Sequence, residues 1–216
     1  MPSPLRFKFQ TQTLWLSAAR CVFWEDESTL IVADLHFGKS GHFRKSGIGI
    51  PQNIFKEDLQ RLFAQIQFFK PKKLLIAGDM FHSTQNKEAD FFIKWRKDFA
   101  TTQFLLVRGN HDILKNSFYQ NAGIEVFENN LTIKNFCFTH DAEGCVNDVF
   151  TFSGHIHPGV KLNGAANQSV ILPCFYFGEK YAVLPAFSAF TGIAKIRPTK
   201  KDHVFALIEN SVIKVQ

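Results

Sequence analysis

The sequence predicts an α/β protein in which two sheets face each other and helices lie outside them. Thr29–Ala33 and Lys73–Ala77 are short apolar runs of the kind found in strands buried on both faces. Between them, Ile54–Phe69 repeats apolar residues at intervals of three and four, as an amphipathic helix does. From Glu125 onward the chain consists of short strand-like runs, and the last two, on either side of Asn210, predict a hairpin. A βαβ first half followed by a strand-rich second half favours two packed sheets.

The helical pattern returns once more before the strand-rich half begins. Phe91, Phe92, Trp95 and Phe99 form a second apolar stripe at helical spacing, and Phe104–Val107 is a third buried strand. The sequence therefore predicts that the first sheet is parallel in this region, with helices in its crossovers.

Composition limits the classes of protein to consider. The chain has 216 residues, 45% of them hydrophobic and 20% charged, which predicts one globular domain over residues 1–216. No apolar run reaches the length of a membrane span, and the first residues lack a signal-peptide pattern, so we expect a cytoplasmic protein without membrane contact. The net charge of +6 favours anionic partners such as nucleic acid or phosphorylated molecules.

The four cysteines carry no metal-binding or bridging pattern. Cys21, Cys137, Cys145 and Cys174 are scattered without a CxxC pair. In a chain with no secretion signal we expect all four to be reduced thiols.

Polar side chains of metal-ligand type follow five of the predicted strands. The blocks are Asp-Leu-His, Gly-Asp, Gly-Asn-His-Asp, a lone histidine and Gly-His-Ile-His. Ligands bind at the carboxyl ends of strands in open α/β sheets, so these side chains should converge. The candidate ligands are Asp34, His36, Asp79, Asn110, His140, His155 and His157.

The chemistry of this set indicates transition metals. Its mixture of oxygen and imidazole ligands suits manganese, iron, zinc or nickel better than calcium or magnesium alone. Two cations about 3.5–4 Å apart also need a shared anion between them, so one carboxylate should bridge. Alternation along extended segments would send Asp34 and His36 to one side, and His155 and His157 likewise.

The five blocks, in this order from about Ile31 to Pro158, resemble the calcineurin-like metallophosphoesterase superfamily. The resemblance implies a four-layer α/β/β/α sandwich of two mixed sheets and a di-metal phosphoesterase in which a metal-bridging hydroxide attacks phosphorus. It implies that Asp79 bridges the metals and that His111 acts as general acid or transition-state stabiliser, oriented by Asp112. One metal would be held by Asp34, His36, Asp79 and His157, and the other by Asp79, Asn110, His140 and His155.

Two further stretches narrow the resemblance. Asp34–Pro51 and Leu184–Gly192 are similar to the small bacterial branch called ligase-associated DNA damage response endonuclease. This likeness implies DNA as substrate, a role in DNA repair, and an ATP-dependent DNA ligase, a helicase and an exonuclease as functional neighbours. Manganese is the metal we expect first. A phosphomonoesterase or nucleotide pyrophosphatase on the same scaffold stays open, as does a non-catalytic protein-binding scaffold, although none of the expected ligands is missing.

Three residues near the ligand blocks are candidates for substrate binding. Arg44 and Lys45 belong to a basic, glycine-punctuated loop after the first ligand pair, where they could hold phosphates or simply be solvated. His82 follows Asp79 by three residues and resembles the GD-x-FH block of Mre11-type nucleases, but it could also cap the next turn. The basic segment Lys195–Lys201 lies farther from any motif and could be a solvated face or contact the DNA backbone.

Overall fold

The computed structural model describes residues 3–39, 54–82, 87–144, 149–164 and 168–216. In this part of the chain, seven strands form a first sheet in sequence order. The strands are β1 (Leu5–Phe9), β2 (Gln12–Ser17), β3 (Cys21–Trp24), β4 (Thr29–Val32), β5 (Lys73–Ala77), β6 (Gln103–Val107) and β7 (Ile124–Phe127). β1 to β4 pair antiparallel, and β4 to β7 pair parallel.

The parallel half of the first sheet carries its helices in the crossovers. They are α1 (Ile54–Phe69), α2 (Lys87–Arg96) and α3 (Asn116–Asn121). Their apolar faces pack with alternate residues of the strands, among them Leu62, Phe92 and Phe118 against Leu74 and Phe104. The helix predicted from periodicity over 54–69 has the bounds that the pattern indicated.

The second half of the chain supplies nine strands to a second, mixed sheet within the described residues. They are β8 (Asn130–Ile133), β9 (Phe136–Thr139), β10 (Phe150–Ser153), β11 (Pro158–Asn163), β12 (Ser169–Phe177), β13 (Tyr181–Val183), β14 (Ala194–Lys195), β15 (His203–Ile208) and β16 (Ser211–Lys214). The order is β14-β11-β12-β13-β10-β9-β8, and β15 joins β12 and β16. β15 and β16 form the hairpin expected around Asn210.

The two sheets face each other across an aromatic core. Trp24 of the first sheet packs on Phe136 and Phe138 of the second, with ring centroids 4.9 and 6.2 Å apart. Phe7 packs in the same way on Phe177 and Phe205. Aromatic pairs at these distances add to the burial free energy, so the many phenylalanines hold the sandwich together. The predicted sandwich of two facing mixed sheets is confirmed, and the described α-helices lie in the crossovers of the first sheet.

The expectations about membrane spans and about the cysteines can be compared with the structure. None of the described helices is long and apolar enough to cross a membrane. Cys21 and Cys174 are free and buried, as predicted, and burial raises the pKa of each thiol to about 12. The expectation of a reduced thiol is wrong for Cys137, which is disulfide-bonded. Spacing along the chain could not reveal this bond, because a disulfide requires only that the fold bring two Cβ atoms together.

Candidate metal centre

The candidate ligands meet where β4, β5, β9 and β10 end. Asp34 follows β4, Asp79 follows β5, and His140 follows β9, so their side chains leave neighbouring strand ends at one edge of the sandwich. All three are almost completely buried, with relative exposures of 0%, 3% and 5%. Two carboxylates and an imidazole removed from water in this way need a positively charged partner.

Two groups of side chains have the spacing of a metal site. Asp34, His36 and His157 each offer a ligand atom, and these atoms lie within 4.8 Å of one another. Asp34, Asp79 and His140 form a second group by the same measure. Asp34 belongs to both groups, because its Oδ2 lies 3.7 Å from His157 Nε2 and its Oδ1 lies 3.8 Å from His140 Nδ1.

The imidazole of His155 contacts His140 of the second group. Its Nδ1 lies 3.0 Å from His140 Nε2, while His157 Nε2 lies 3.4 Å from His36 Nε2. The Gly-His-Ile-His block therefore divides its two imidazoles between the two groups. Asn110 lies in the loop after β6 with an exposed side chain.

The backbone of the ligand loops is left-handed, a feature that the sequence did not reveal. The φ angles are 54° at Asp34, 49° at His36, 47° at Asp79, 68° at His155 and 49° at His157. Non-glycine residues adopt this region rarely, and such strain persists where the surrounding structure enforces it. The expectation that these residues alternate along extended segments is therefore wrong, because β4 ends at Val32 and β10 ends at Ser153.

Two glycines in the ligand blocks make room for the ligands. A Cβ built at Gly78 would overlap the His140 imidazole, and one at Gly154 would overlap Asp34 Oδ2. Gly78 also has a φ of +81°, which favours glycine further. These close approaches explain why a glycine precedes both Asp79 and His155.

Burial governs the titration of the ligands that the structure encloses. It raises the pKa of Asp34 above its usual value, because the charged carboxylate is cut off from water. Burial also lowers the pKa of His36 to about 2, with a further contribution from the charge of Lys39. A neutral imidazole is the form that binds a metal ion.

Asp112 ties two of the ligand loops together. Its Oδ1 accepts a hydrogen bond from the Phe81 N–H at 2.9 Å, and its Oδ2 accepts from the N–H groups of Met80 at 3.2 Å and Gly109 at 2.9 Å. Burial raises its pKa to about 7, although these three donors favour the ionised form. Within the described residues no hydrogen bond joins Asp112 to the His111 ring, so Asp112 acts on the loops.

Two further histidines, His82 and His111, form a cluster with His36. The rings of His82 and His111 lie 4.2 Å apart at an interplanar angle of 32°, and the His36 ring lies 5.3 and 5.7 Å from them. The His111 N–H donates to Asp79 Oδ1 at 2.9 Å, which fixes the backbone of this residue next to the buried carboxylate. The His111 side chain itself is exposed, as a group that meets a substrate must be.

The comparisons with known proteins agree with this geometry. The model of the calcineurin-like phosphoesterase family matches residues 28–174, which include every candidate ligand. The chain belongs to this family. Membership makes it a metal-dependent phosphoesterase, as the blocks indicated.

Two solved structures are similar to this calcineurin-like phosphoesterase. The crystal structure of the nuclease MPE from Pseudomonas putida is 26% identical, with a TM-score of 0.84 over 98% of this chain and 100% of that one. The phosphoesterase Yfce from E. coli is 15% identical, with a TM-score of 0.44 over 87% of this chain and 97% of that one. No curated protein shows significant sequence similarity to this chain.

The structure does not describe two of the residues that the sequence suggested for substrate binding in this phosphoesterase. Arg44 and Lys45 lie outside the described residues. Lys39, at the start of that basic segment, is half-buried, and burial lowers its pKa while the charges of Asp34 and Asp79 oppose the shift.

Sequence reasoning missed a loop that supports the centre. His157 Nδ1 lies 3.2 Å from the Gly192 carbonyl oxygen, and the N–H groups of Phe187 and Ser188 donate to the carbonyls of Ala33 and Asp34 at 2.7 and 3.2 Å. In the sequence, the block Leu184–Gly192 stands out through its family resemblance alone. Its structural role is to hold the backbone next to two candidate ligands.

Proposed function

We propose that this chain is a di-metal phosphodiesterase that cuts DNA as an endonuclease. The observation that carries the proposal is the pair of ligand groups sharing Asp34, on a fold that matches a nuclease over nearly its whole length. The net charge of +6 supports a polyanionic substrate.

The residues at the strand ends fit two transition-metal ions. Asp34 Oδ1 and His140 Nδ1 are buried and have no hydrogen-bond partner among the described residues, as expected of atoms reserved for a metal. We assign Asp34, His36, Asp79 and His157 to one ion. The other would use Asp79, Asn110, His140 and His155. Asp79 as the ligand shared by both ions rests on the family resemblance, whereas the two groups found in the structure share Asp34. Two divalent cations held there would neutralise phosphate charge and lower the pKa of an attacking water.

The remaining steps belong to side chains outside the ligand groups. His111 would protonate the leaving oxygen, since its ring is exposed and its backbone is fixed by Asp79. His82, against which the His111 ring packs, would contact the substrate phosphate or keep the His111 ring in place. Arg44 and Lys45 would hold flanking phosphates; this assignment rests on their sequence position.

Manganese, a cytoplasmic location and a link to DNA repair complete the proposal. Their support is the ligand chemistry for the metal and the family resemblance for the other two. The resemblance is also the whole support for an ATP-dependent DNA ligase, a helicase and an exonuclease as functional neighbours.

The test compares substrates on one metal-loaded preparation. Bis-(p-nitrophenyl) phosphate, p-nitrophenyl phosphate and single- and double-stranded DNA are assayed with Mn²⁺, and Asp34→Ala prepared identically controls for a contaminating nuclease. We expect hydrolysis of the diester and of DNA and little of the monoester. Faster hydrolysis of the monoester would favour the phosphomonoesterase alternative, and activity retained in Asp34→Ala would refute the assigned centre.

A further inference from the structure

The part of the second sheet that follows His157 has an exposed face, and the proposed mechanism does not use this face. It is formed by β11, β12 and β14, where Lys161 lies opposite Ile171 and Lys195 lies opposite Gly159. Directly opposed residues project to the same side of a sheet. Lys161, Lys195 and Ile171 are exposed, so this side faces solvent.

The other side of the same strands is covered. Val160 lies in a small apolar cluster, with Leu162, Leu172 and Ile196 packed against it. Because Ile196 points into that cluster, an extended backbone directs its neighbours Lys195 and Arg197 toward the exposed face. Arg197 precedes a proline, which favours the extended conformation at that position.

Three cations on the exposed face have no acidic partner in the part of the chain that the structure describes. Within the described residues, the side chains of Lys161, Lys195 and Arg197 form no ion pair. The acidic residue nearest to Lys195 and Arg197 along the chain, Asp202, is buried and accepts a hydrogen bond from the Thr199 N–H. The positive charge of this face is therefore free to act on an external anion.

The face is continuous with the metal centre. The Ala194 N–H donates to the His157 carbonyl at 3.0 Å, and the Ile196 N–H donates to the Gly159 carbonyl at 2.9 Å, so β14 is attached to the strand that leaves the centre. At about 3.3 Å per residue, Lys161 lies roughly 13 Å along β11 from His157. That is about four nucleotides at the 3.4 Å rise of one DNA strand.

Apolar side chains lie among the cations. Ile171 and Ile193 are 45% and 44% exposed, and both approach Gly159 so closely that a Cβ there would overlap Ile193 Cγ2. Gly159 thus allows the Ile193 side chain to lie against β11. Cations interspersed with apolar contacts suit a nucleic-acid strand, which presents phosphates on one side and sugars and bases on the other.

We propose that Lys161, Lys195 and Arg197, which we name the cationic track, bind backbone phosphates of the DNA strand that extends from the scissile bond. Ile171 and Ile193 contact its sugars or bases. The proposal rests on the nuclease function proposed above and deepens it, since it assigns the path of the substrate outside the centre.

The test removes the three charges together and compares two substrates. In Lys161→Gln/Lys195→Gln/Arg197→Gln, kcat/KM for a 20-nucleotide DNA is measured between 50 and 200 mM salt, relative to bis-(p-nitrophenyl) phosphate, which is too small to reach the track. The matched control is Lys70→Gln/Lys72→Gln/Lys97→Gln, which removes three exposed cations near the amino ends of β5 and β6, at the opposite edge of the sheet.

We expect the ratio of DNA to diester activity to fall on the order of tenfold in the track variant. The salt slope should fall by about 2 to 3, because each phosphate that the protein no longer neutralises lowers it by about 0.7 to 0.9. The control variant should change the ratio less than threefold. Equal changes in the two variants would overturn the track and leave the nuclease function standing. A wild-type protein that hydrolyses the diester but not DNA would overturn both.

Discussion

The imidazole of His157 is oriented by the carbonyl of Gly192, which lies 3.2 Å from Nδ1. A proton on Nδ1 directs it to this carbonyl and leaves the lone pair of Nε2 facing Asp34 and His36. Hydrogen bonds of this kind tune the affinity of a metal site because they fix the ligand ring before the metal arrives. The orientation of His157 therefore depends on a loop 35 residues away in the chain.

That loop is itself held by two half-buried arginines. The Arg20 guanidinium donates to the carbonyls of Ala186 and Ser188 at 3.3 and 2.9 Å, and Arg61 donates to Asp58 and to the Phe187 carbonyl. Burial lowers the pKa of Arg20, and the adjacent charge of Arg61 lowers it further.

Arg20→Gln should weaken metal binding without removing a ligand. We expect the Kd for Mn²⁺ to rise about tenfold, the lower end of the range for partners of metal ligands, as measured by calorimetric titration. Arg96→Gln is the control, since Arg96 also donates to backbone carbonyls, those of Phe99 and Thr102, but at the far end of the sheet. Equal metal affinity in both variants would show that Arg20 supports the fold alone.

Gly154→Ala should damage the centre through a single methyl group. The added Cβ would overlap Asp34 Oδ2, which also accepts a hydrogen bond from the His155 N–H. We expect a stability loss of about 1–3 kcal/mol by thermal unfolding and a lower metal content. Gly164→Ala is the matched control, because the atoms nearest to its added Cβ would be 3.8 Å away and no overlap would result. Full metal content in Gly154→Ala would contradict the close packing of this glycine on Asp34.

The sequence predicted those elements whose pattern is strong and local. Ile54–Phe69 was recognisable because its apolar stripe runs for more than four turns, and β4, β5 and β6 because they are continuous apolar runs. The strands of residues 5–24 were missed. In β1, for example, exposed and half-buried positions alternate, and such a pattern on a short edge strand is a weaker signal.

The candidate site, like the fold, could be predicted from the sequence only in part. The types and order of the candidate ligands could be predicted, because each block follows a strand that is recognisable in the sequence. The left-handed backbone at Asp34 and Asp79 could not, since only tertiary contacts can enforce a conformation that L-residues avoid. The role of Arg20 was hidden as well, because its partners lie 166 and 168 residues away.

Asp112→Asn should destabilise the protein through the ligand loops. Its two oxygens accept three backbone hydrogen bonds, and either orientation of an asparagine amide would turn an NH₂ group toward at least one of those donors. An unsatisfied buried donor costs about 1–3 kcal/mol, which urea unfolding would measure. Asp98→Asn, an exposed change between α2 and β6, should cost much less. Equal losses would mean that the Asp112 bonds contribute little.

Asp79→Asn tests the proposed bridge between the metals. A neutral amide would leave two cations without the full negative charge between them, so we expect loss of at least one metal equivalent with the fold retained. Metal analysis by mass spectrometry and circular dichroism would measure these two properties. Asp34→Asn is the informative comparison, because Asp34 belongs to both ligand groups. If Asp34→Asn lost both metals and Asp79→Asn lost none, Asp34 would be the bridge.

His111→Ala should slow the reaction while the metals stay bound. The side chain is exposed, and the backbone N–H that contacts Asp79 remains in the variant. If His111 protonates the leaving oxygen, turnover should fall by about 10²–10⁴ for an alkyl leaving group. The loss should be smaller for nitrophenolate, which leaves readily without a proton. Steady-state kinetics on a matched pair of diesters, methyl nitrophenyl and dimethyl phosphate, would measure the difference at constant metal content. An equal loss on both substrates would make His111 a stabiliser of charge in the transition state and not the acid.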